Sequence, residues 1–538
     1  MNSSRLRAAA LAVAFLAAPL GAQTILHFHL NPPKVEPIAG LNQRIQNGAL
    51  HLTLQDYLQL VLQNDTAVHL LQMNEYTARN SVIAAKSPFD PNLTASFGGT
   101  RSVQPQTSQT SGASTLSSLN QSSSLGFRQI LPTGQSVQAS FGTSRLSSNN
   151  AFSTFNPSLG ANLGFSFTQP LLQNRSGLQD KTQLLVAKTQ VLVVSDQTQA
   201  SIATAIQQAA DQYWNTVEAH EQITVRQQAV DLAQQSYDRN KEMLKLGALA
   251  PGDIFTPEAQ LAQDKTALLQ AQSQYEQQLD QIRRLIGADL DPAAQNVNIV
   301  LDDKPNATIP EPPPMPLNDA ITAALAHRPE LDAYQRQNLE NKFTMAEAHD
   351  ALRPQLNLVG SYGSNALAGN QIATQTALGT IVGGQTTGFG NDMSQLFGFG
   401  YPTYGFSLQL TLPLRNSTAE SQLANSLVAQ TQTEYDIRNE EQQIRQDVRL
   451  ADVQLRMAVA EVKSATTASD LTKKEVDADQ QEYLLGTTTL FQLLTGQTQL
   501  SNAQSQVVSA YTSYQIAKLA YERAVYTLLG DMHLKLQH

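Results

Sequence analysis

The chain repeats itself at one large offset, and that duplication limits the folds open to it. Around Leu54 it reads LTLQDYLQLVLQNDTAV…SPFDPNLTASFG, and around Leu317 it reads PLNDAITAALAHRPEL…ALRPQLNLVGSYG. Leu54 matches Leu317, Asp56 matches Asp319, Leu62 matches Leu325 and Pro91 matches Pro354, all at an offset of 263 without a gap. Later blocks starting at Leu246 and Leu485 repeat at an offset of 239, which pairs Gly247 with Gly486 and Leu261 with Leu500. Two copies of so large a unit are a duplication, since solenoid periods run about 20–50 residues. Each copy reads as helix, Pro-x-Leu strand, polar loop, strand, long helix, Gly turn, helix. The organisation expected is a signal peptide over 1–22, an N-terminal arm over 23–52 and a first repeat over 53–301. A Pro-rich linker over 302–316, a second repeat over 317–530 and a tail over 531–538 complete it.

The helical segments are long. Leu171 to Leu246 holds no proline, and Ile202, Ile206, Ala209, Tyr213 and Val217 recur at spacings of three and four. Ile223, Val230, Tyr237 and Leu244 then recur every seven, a coiled-coil-like period. A second such segment runs from about Ser417 to Leu485. At a rise of 1.5 Å per residue each is about 100–115 Å long. Shorter helices are expected at about Thr53–Lys86 and about Thr256–Leu285, each roughly 45–50 Å by the same rise. Stacked end to end they match one long helix, as in a tube wall. A long helical bundle would show the same lengths.

Between the helices lie strands of period two. Leu163, Phe165 and Phe167 share one face, as do Phe406, Leu408, Leu410 and Leu412. Strands near ten residues with one apolar face fit a transmembrane barrel, and they also fit a half-buried sheet in a soluble protein. Segments rich in Ser, Thr, Asn, Gln and Gly at about 100–124, 143–160 and 364–402 read as long solvent-facing loops. One further hairpin, LGFRQILPTGQSVQASFG, turns at Pro132, Thr133 and Gly134.

Export is written at the N-terminus. Arg5 and Arg7 precede an apolar run from Ala8 to Leu20, and Gly21 and Ala22 offer small residues for cleavage. Cleavage after Ala22 removes two arginines and takes the net charge from −10 to −12. An acidic chain without basic runs argues against nucleic acid as a partner. No run of 18 apolar residues occurs elsewhere, so a membrane crossing would have to be a β-barrel. With no cysteine there is no disulfide framework, thiolate metal site, catalytic thiol or lipidated N-terminal cysteine.

No residue pattern carries catalysis. The nine histidines, His27 and His29 among them, lack metal-ligand spacing. GFGYPTYGF near Gly398 lacks the strand–Gly-loop–helix context of a phosphate cradle, and Tyr401, Tyr404 and Phe406 read as interface aromatics of a barrel. The pair Asp302–Asp303 lies in the linker and is expected to be solvated. The reading is no enzyme, no cofactor and no metal.

The repeat itself resembles the TolC family of outer-membrane efflux and secretion proteins along nearly all of the mature length. The resemblance rests on Leu246-Gly247…Asp253…Ala259-x-Leu261 and its second copy, Leu485-Gly486…Gln492…Leu500…Ala503. The strand-to-helix junctions Gln169-Pro170-Leu171 and Leu412-Pro413-Leu414 add to it. It implies a mainly α homotrimer, an α-helical barrel continuous with a shared transmembrane β-barrel. The helical part would stand in the periplasm, below an outer membrane. Three chains give twelve helical wall positions and twelve strands, or more if the extra hairpin joins the barrel.

The resemblance further implies that the turns Leu246-Gly247-Ala248 and Leu485-Gly486-Thr487 meet a periplasmic adaptor protein, with an inner-membrane pump supplying the energy. It implies a periplasmic gate in which Asp253 matches an acidic position and Tyr483 keeps a tyrosine. Gln492 and Thr495 stand where acids are typical, and Thr488 where an arginine is typical, so closure is expected to use packing and neutral hydrogen bonds. Asp253 follows Pro251-Gly252 and also suits a helix N-cap. The functional expectation is a passive exit duct of a tripartite efflux or type I secretion system. The alternatives are an exported periplasmic coiled-coil scaffold and an exported enzyme.

Overall fold

The computed structural model describes residues 33–46, 48–105, 114–151, 153–247, 250–304, 310–375, 381–532 and 534. The expected signal peptide, His27, His29 and Ala248 of the first turn lie outside these residues. Each repeat opens with a short helix, α1 (Leu54–Asn64) and α5 (Leu317–His327), and the offset of 263 relates their first residues. Thr53 caps α1: its Oγ1 accepts from Asp56 N at 3.2 Å and donates to Asp56 Oδ2 at 2.7 Å. Such a cap is worth about 1 kcal/mol. The Thr53 hydrogen bond is the main reason the Asp56 carboxyl titrates below its usual value, with Arg44 adding to it against burial.

One helix over 53–86 was expected, and the structure breaks it in two. Asp65 is extended and its side chain caps α2 (Thr66–Ala84) by accepting from Ala67 N at 3.0 Å. The second repeat breaks at the equivalent residue, Arg328, because it precedes Pro329 and a pre-proline residue is driven from the α region. The helix then resumes as α6 (Pro329–Ala351).

Six antiparallel strands follow from the two repeats: β3 (Asn92–Pro105), β4 (Thr115–Ile130), β5 (Ser136–Ser148), β6 (Phe155–Pro170), β8 (Gln355–Gln371) and β11 (Tyr401–Thr411). They form one open sheet in the order β11-β8-β6-β5-β4-β3. The extra hairpin is therefore β4–β5, an integral part of the sheet. β3 and β8, like α1 and α5, start at positions 263 apart.

Much of what reads as loop is strand. The Ser/Thr/Asn/Gln-rich stretches 100–105, 115–124, 143–148, 155–160 and 364–371 all lie in the ladder. Their backbone pairs regardless of polarity, and hydroxyls pair across strands, as in Ser96–Ser124 at 2.8 Å and Ser123–Thr143 at 2.6 Å. Beyond β8 lie two-residue strands, β9 (Thr374–Gln375) and β10 (Ile381–Val382), and a helix, α7 (Phe389–Phe397).

Below the sheet run two very long helices, α3 (Leu178–Lys245, 68 residues) and α8 (Ser417–Leu485, 69 residues). Each is about 100 Å long at 1.5 Å per residue. Beside them lie α4 (Phe255–Leu285) and α9 (Leu490–Val525). The expected end-to-end stacking is observed. Helix α6 meets the upper part of α3 through the Arg336–Asp196 ion pair. Helix α9 takes over below, through Arg523–Thr204, Ser509–Glu218 and Arg226–Ser501. On α8 the succession repeats: Asn341 of α6 meets Thr433, and Gln506 of α9 meets Glu461. Helices α2 and α4 cover the other flank of α3. The wall thus reads α2/α4, α3, α6/α9, α8, four positions wide.

At mid-height, residues of the N-terminal arm join a small sheet. β1 (Ile45–Gln46) pairs with β2 (Ala49–Leu52), and β2 pairs in parallel with β7 (Asn298–Leu301). The expectation that Asp302 and Asp303 are solvated holds for Asp302, which is exposed, and fails for Asp303. Asp303 Oδ2 accepts from Leu54 N at 2.7 Å and Tyr213 OH at 2.8 Å, and Asp302 bonds His51 at 3.0 Å. The carboxylate sits there because the start of α1 leaves amides without partners in the helix. Tyr213, fully buried against Tyr57 and Trp214, centres the core that fastens α1 and β2 to the middle of α3.

Candidate functional site

Two places combine exposure with specific geometry: the turns at the far end of the helices and the polar face of the sheet. At the turns, α3 gives way to α4 and α8 to α9. Gly247 (φ 73°) and Gly486 (φ 76°) both adopt the left-handed conformation, which glycine enters at little cost. Gly486 N donates to Tyr483 O at 3.1 Å and Thr487 N to Glu482 O at 2.9 Å, the double bond that closes a helix C-terminus. Thr489 then caps α9 from its Oγ1, which accepts from Gln492 N at 3.2 Å. Leu246 is 81% exposed and Leu485 79%, with Phe255 and Phe491 exposed beside them. Four large apolar side chains thus stand in water at one end of the chain.

The gate candidates separate. Asp253 is exposed in the turn before α4, where its N donates to Ala250 O at 3.0 Å. It is not the helix cap: α4 starts after Ile254 and has no side-chain cap. Gln492 is exposed, and Thr495 Oγ1 donates back to Phe491 O at 2.8 Å. Tyr483 donates to Asn240 Oδ1 at 2.7 Å, and Asn240 Nδ2 donates to Ser236 O at 2.7 Å. Burial pushes the Tyr483 phenol up; Arg239 and the bond to Asn240 oppose this, and the nearby Asp253 carboxylate adds to it. Asn240, fully buried, escaped the sequence reading. A lone asparagine on the inner stripe of a coiled-coil-like helix was the available signal.

The sheet has two unlike faces. Pairing places Leu93, Phe97, Leu125, Phe127, Phe141, Leu163, Phe165, Phe167, Tyr362, Leu358, Phe406, Leu408 and Leu410 on one side. The other side carries Thr94, Ser96, Arg128, Gln138, Ser140, Asn162, Ser166, Ser361, Asn365, Thr403 and Gln409, with Val359, Leu146 and Leu367 among its few apolar members. A groove of about 800 Å³ lies along this polar side, lined by Asn92, Gln138, Asn162 and Asn365. Helix α7 rests on the apolar side, with Leu396 against Ala161 and Ala366, and Ser364 Oγ donating to Leu396 O at 2.8 Å. The sequence showed this alternation over the strand segments beside the helices; the far ends of the strands were hidden in the stretches read as loops. Among the described residues no acid/histidine cluster could hold a metal ion, and no helix is long and apolar enough to cross a membrane.

The architecture is an open amphipathic sheet standing on two very long helices. The family model for outer membrane efflux proteins matches residues 320–530, nearly the whole second repeat. No curated protein matches the chain in sequence. Among solved structures, a membrane protein from Pseudomonas aeruginosa superposes with a TM-score of 0.63 at 16% identity, over 88% of this chain and 93% of that one. The CmeC outer membrane channel of Campylobacter jejuni gives 0.59 at 14%, over 93% and 94%. The open MtrE outer membrane channel of Neisseria gonorrhoeae gives 0.60 at 16%, over 88% and 89%. The chain is thus similar in its second repeat to the outer membrane efflux proteins, a family of channels and not an enzyme class. Over most of its length it has the fold of TolC-type outer-membrane channels.

Proposed function

We propose that three copies of this chain close into one duct that conducts solutes passively across the periplasm and outer membrane. The observation that carries the proposal is a pair of unpaired edges. β3 and β11 end the sheet on opposite sides, both exposed along their length, with Phe97 79% and Phe406 85% exposed. In lipid an open edge leaves backbone groups without partners, so the sheet must close. β3 and β11 run antiparallel to one another through five antiparallel pairings, so β11 of one copy can continue into β3 of the next.

The helical wall repeats the pattern. Helix α8 exposes Leu427, Val428, Leu450, Met457 and Leu471 on one flank, and α2 and α4 expose Leu70, Ile83 and Leu269 on the other. A head-to-tail contact that closes makes a ring. The apolar sheet face then meets outer-membrane lipid, the polar face lines the pore, and the helical part stands in the periplasm. A periplasmic scaffold would leave that apolar face in water. The exposed turns fit docking by a periplasmic adaptor, and an inner-membrane pump would drive cargo in a tripartite efflux or type I secretion system.

Reconstitution in planar bilayers tests the reading. The purified protein is expected to open ion-conducting pores; protein that inserts and never conducts contradicts it. The same recordings test the gate, which in this proposal lies at the turn end of the helices, lined by the exposed Asp253 and Gln492 with Thr495 and Tyr483 beside them. Three carboxylates around an axis favour cations. Asp253→Asn is expected to weaken cation selectivity and block by divalent ions with the trimer intact. Unchanged selectivity and block would remove Asp253 from the pore.

A further inference from the structure

We infer that the β4–β5 hairpin sets the bore of the duct: it widens the barrel from twelve strands to eighteen, matching the helical wall and admitting bulky hydrophilic solutes. The inference rests on the trimeric reading above. In the sheet, β3 descends from α2, β6 leads into α3, β8 comes from α6 and β11 leads into α8. Those four strands follow the four wall positions one for one. The β4–β5 hairpin is the sole addition, inserted between β3 and β6.

Perimeter arithmetic shows what the addition does. Helices packed 8–10 Å apart give twelve wall positions a perimeter of about 96–120 Å. Strands about 4.8 Å apart and tilted about 40° each take up about 6 Å of perimeter. Twelve strands then span about 75 Å, and eighteen about 113 Å, since barrel diameter grows with strand number. At this tilt eighteen strands fall within the perimeter of the wall and twelve fall short of it. The backbone diameter is about 36 Å for eighteen strands and about 24 Å for twelve. After about 5 Å of side chain on each side, the clear bore is about 26 Å against about 14 Å.

The hairpin is built in and not appended. Its turn is held against the start of α3 by two glycines, Gly134 (φ 90°) and Gly177 (φ 69°). A Cβ on Gly134 would lie 2.6 Å from Gly177 N, and one on Gly177 would lie 2.7 Å from Pro132 O. The same junction is tied to α6 by Asn174 N, which donates to Asp350 Oδ2 at 2.6 Å. The polar faces of β4 and β5 continue the neutral lining with Asn120, Ser122, Ser124, Gln138, Ser140 and Ser144; Arg128 is the one charged side chain on that face of the six strands. In a bore wider than the Debye length of about 8 Å, one ring of arginines selects weakly. The barrel would therefore pass large polar solutes with little sorting by charge.

Polymer exclusion in planar bilayers reads the bore. Polyethylene glycol of about 10 Å hydrodynamic radius is to be added on the side of the barrel mouth, opposite the helical end. It is expected to enter the parent and lower its conductance, because its width is below the eighteen-strand bore and above the twelve-strand one. A variant lacking residues 114–154, which joins β3 directly to β6, is expected to exclude the same polymer. Exclusion by the parent overturns the inference, as does equal entry into parent and deletion variant. If the deletion variant does not insert, the parent's result alone decides. A protein that forms no pores contradicts the proposed function, and this inference falls with it.

Discussion

Gly247→Trp and Gly486→Trp are expected to abolish transport in cells while the amount of assembled channel in the membrane stays unchanged. At both positions a Cβ would meet nothing within 4 Å, so the added side chain disturbs no packing inside the protomer. The left-handed backbone does penalise a side chain, by about 1–2 kcal/mol, but at a turn where the chain leaves one helix for the next. What the indole does change is the surface. It stands beside Leu246 or Leu485, in the patch proposed to receive the adaptor, and a docking backbone can no longer approach. Asparagine separates strain from bulk, because it tolerates positive φ with a small side chain. Gly247→Asn and Gly486→Asn are expected to keep most of the transport. Full transport by both tryptophan variants, measured as resistance or secretion against equal amounts of channel, would remove the turns from docking.

At the other end of α3, Gly134→Val is expected to cut the yield of assembled channel severely. The position combines φ 90° with a backbone nitrogen 2.6 Å and a carbonyl oxygen 2.7 Å from the new Cβ. Neither neighbour is a side chain that can swing away, since both belong to the junction that starts α3. Backbone strain of about 1–3 kcal/mol adds to the clash. Gly48→Val is the control, with φ 81° and open space around a Cβ. The amount of assembled channel and its thermal midpoint should drop much further for Gly134→Val than for Gly48→Val, which carries the backbone strain without the clash. Equal behaviour of the two would mean that the hairpin turn is not seated on α3.

The sequence made the scaffold legible because its signals are periodic and repeated. An offset of 263 announced two units, and the same offset relates the first residues of α1 and α5 and of β3 and β8. Apolar spacings of three, four and then seven announced the first long helix, and a proline-free run announced it too. The helix breaks at Asp65 and Arg328 were harder to see: a capping aspartate inside a helical stretch looks like a surface residue, although the Arg-Pro step in the second copy carried the signal.

The sheet was legible by half. Leu163, Phe165 and Phe167 marked β6 through their apolar alternation. In β4, SSLNQSSSLG has too few apolar residues to show a period, because in its outer half both faces are polar. The hydrogen-bonded ladder forms there all the same. Asp303 shows the opposite limit. Its partners, Leu54 and Tyr213, lie far away in sequence, and only the fold brings them to it. Asn240 and Tyr483 are likewise distant in sequence, which hid their contact near the tip.

The most direct test uses the absence of cysteine in the chain. Phe97→Cys and Phe406→Cys together place one thiol on β3 and one on β11, at opposite edges of the sheet. Within one copy they lie five strand spacings apart and six residues out of register, more than about 24 Å, beyond the reach of a thiol crosslinker of about 12 Å. Across a seam where β11 of one copy meets β3 of the next, the same reagent connects them. In outer-membrane fractions, the trimeric duct predicts a covalent ladder of one, two and three chains that stops at three, and each single-cysteine variant should stay monomeric. Monomer alone from the double variant, or a ladder that continues past three, would contradict the closed trimer.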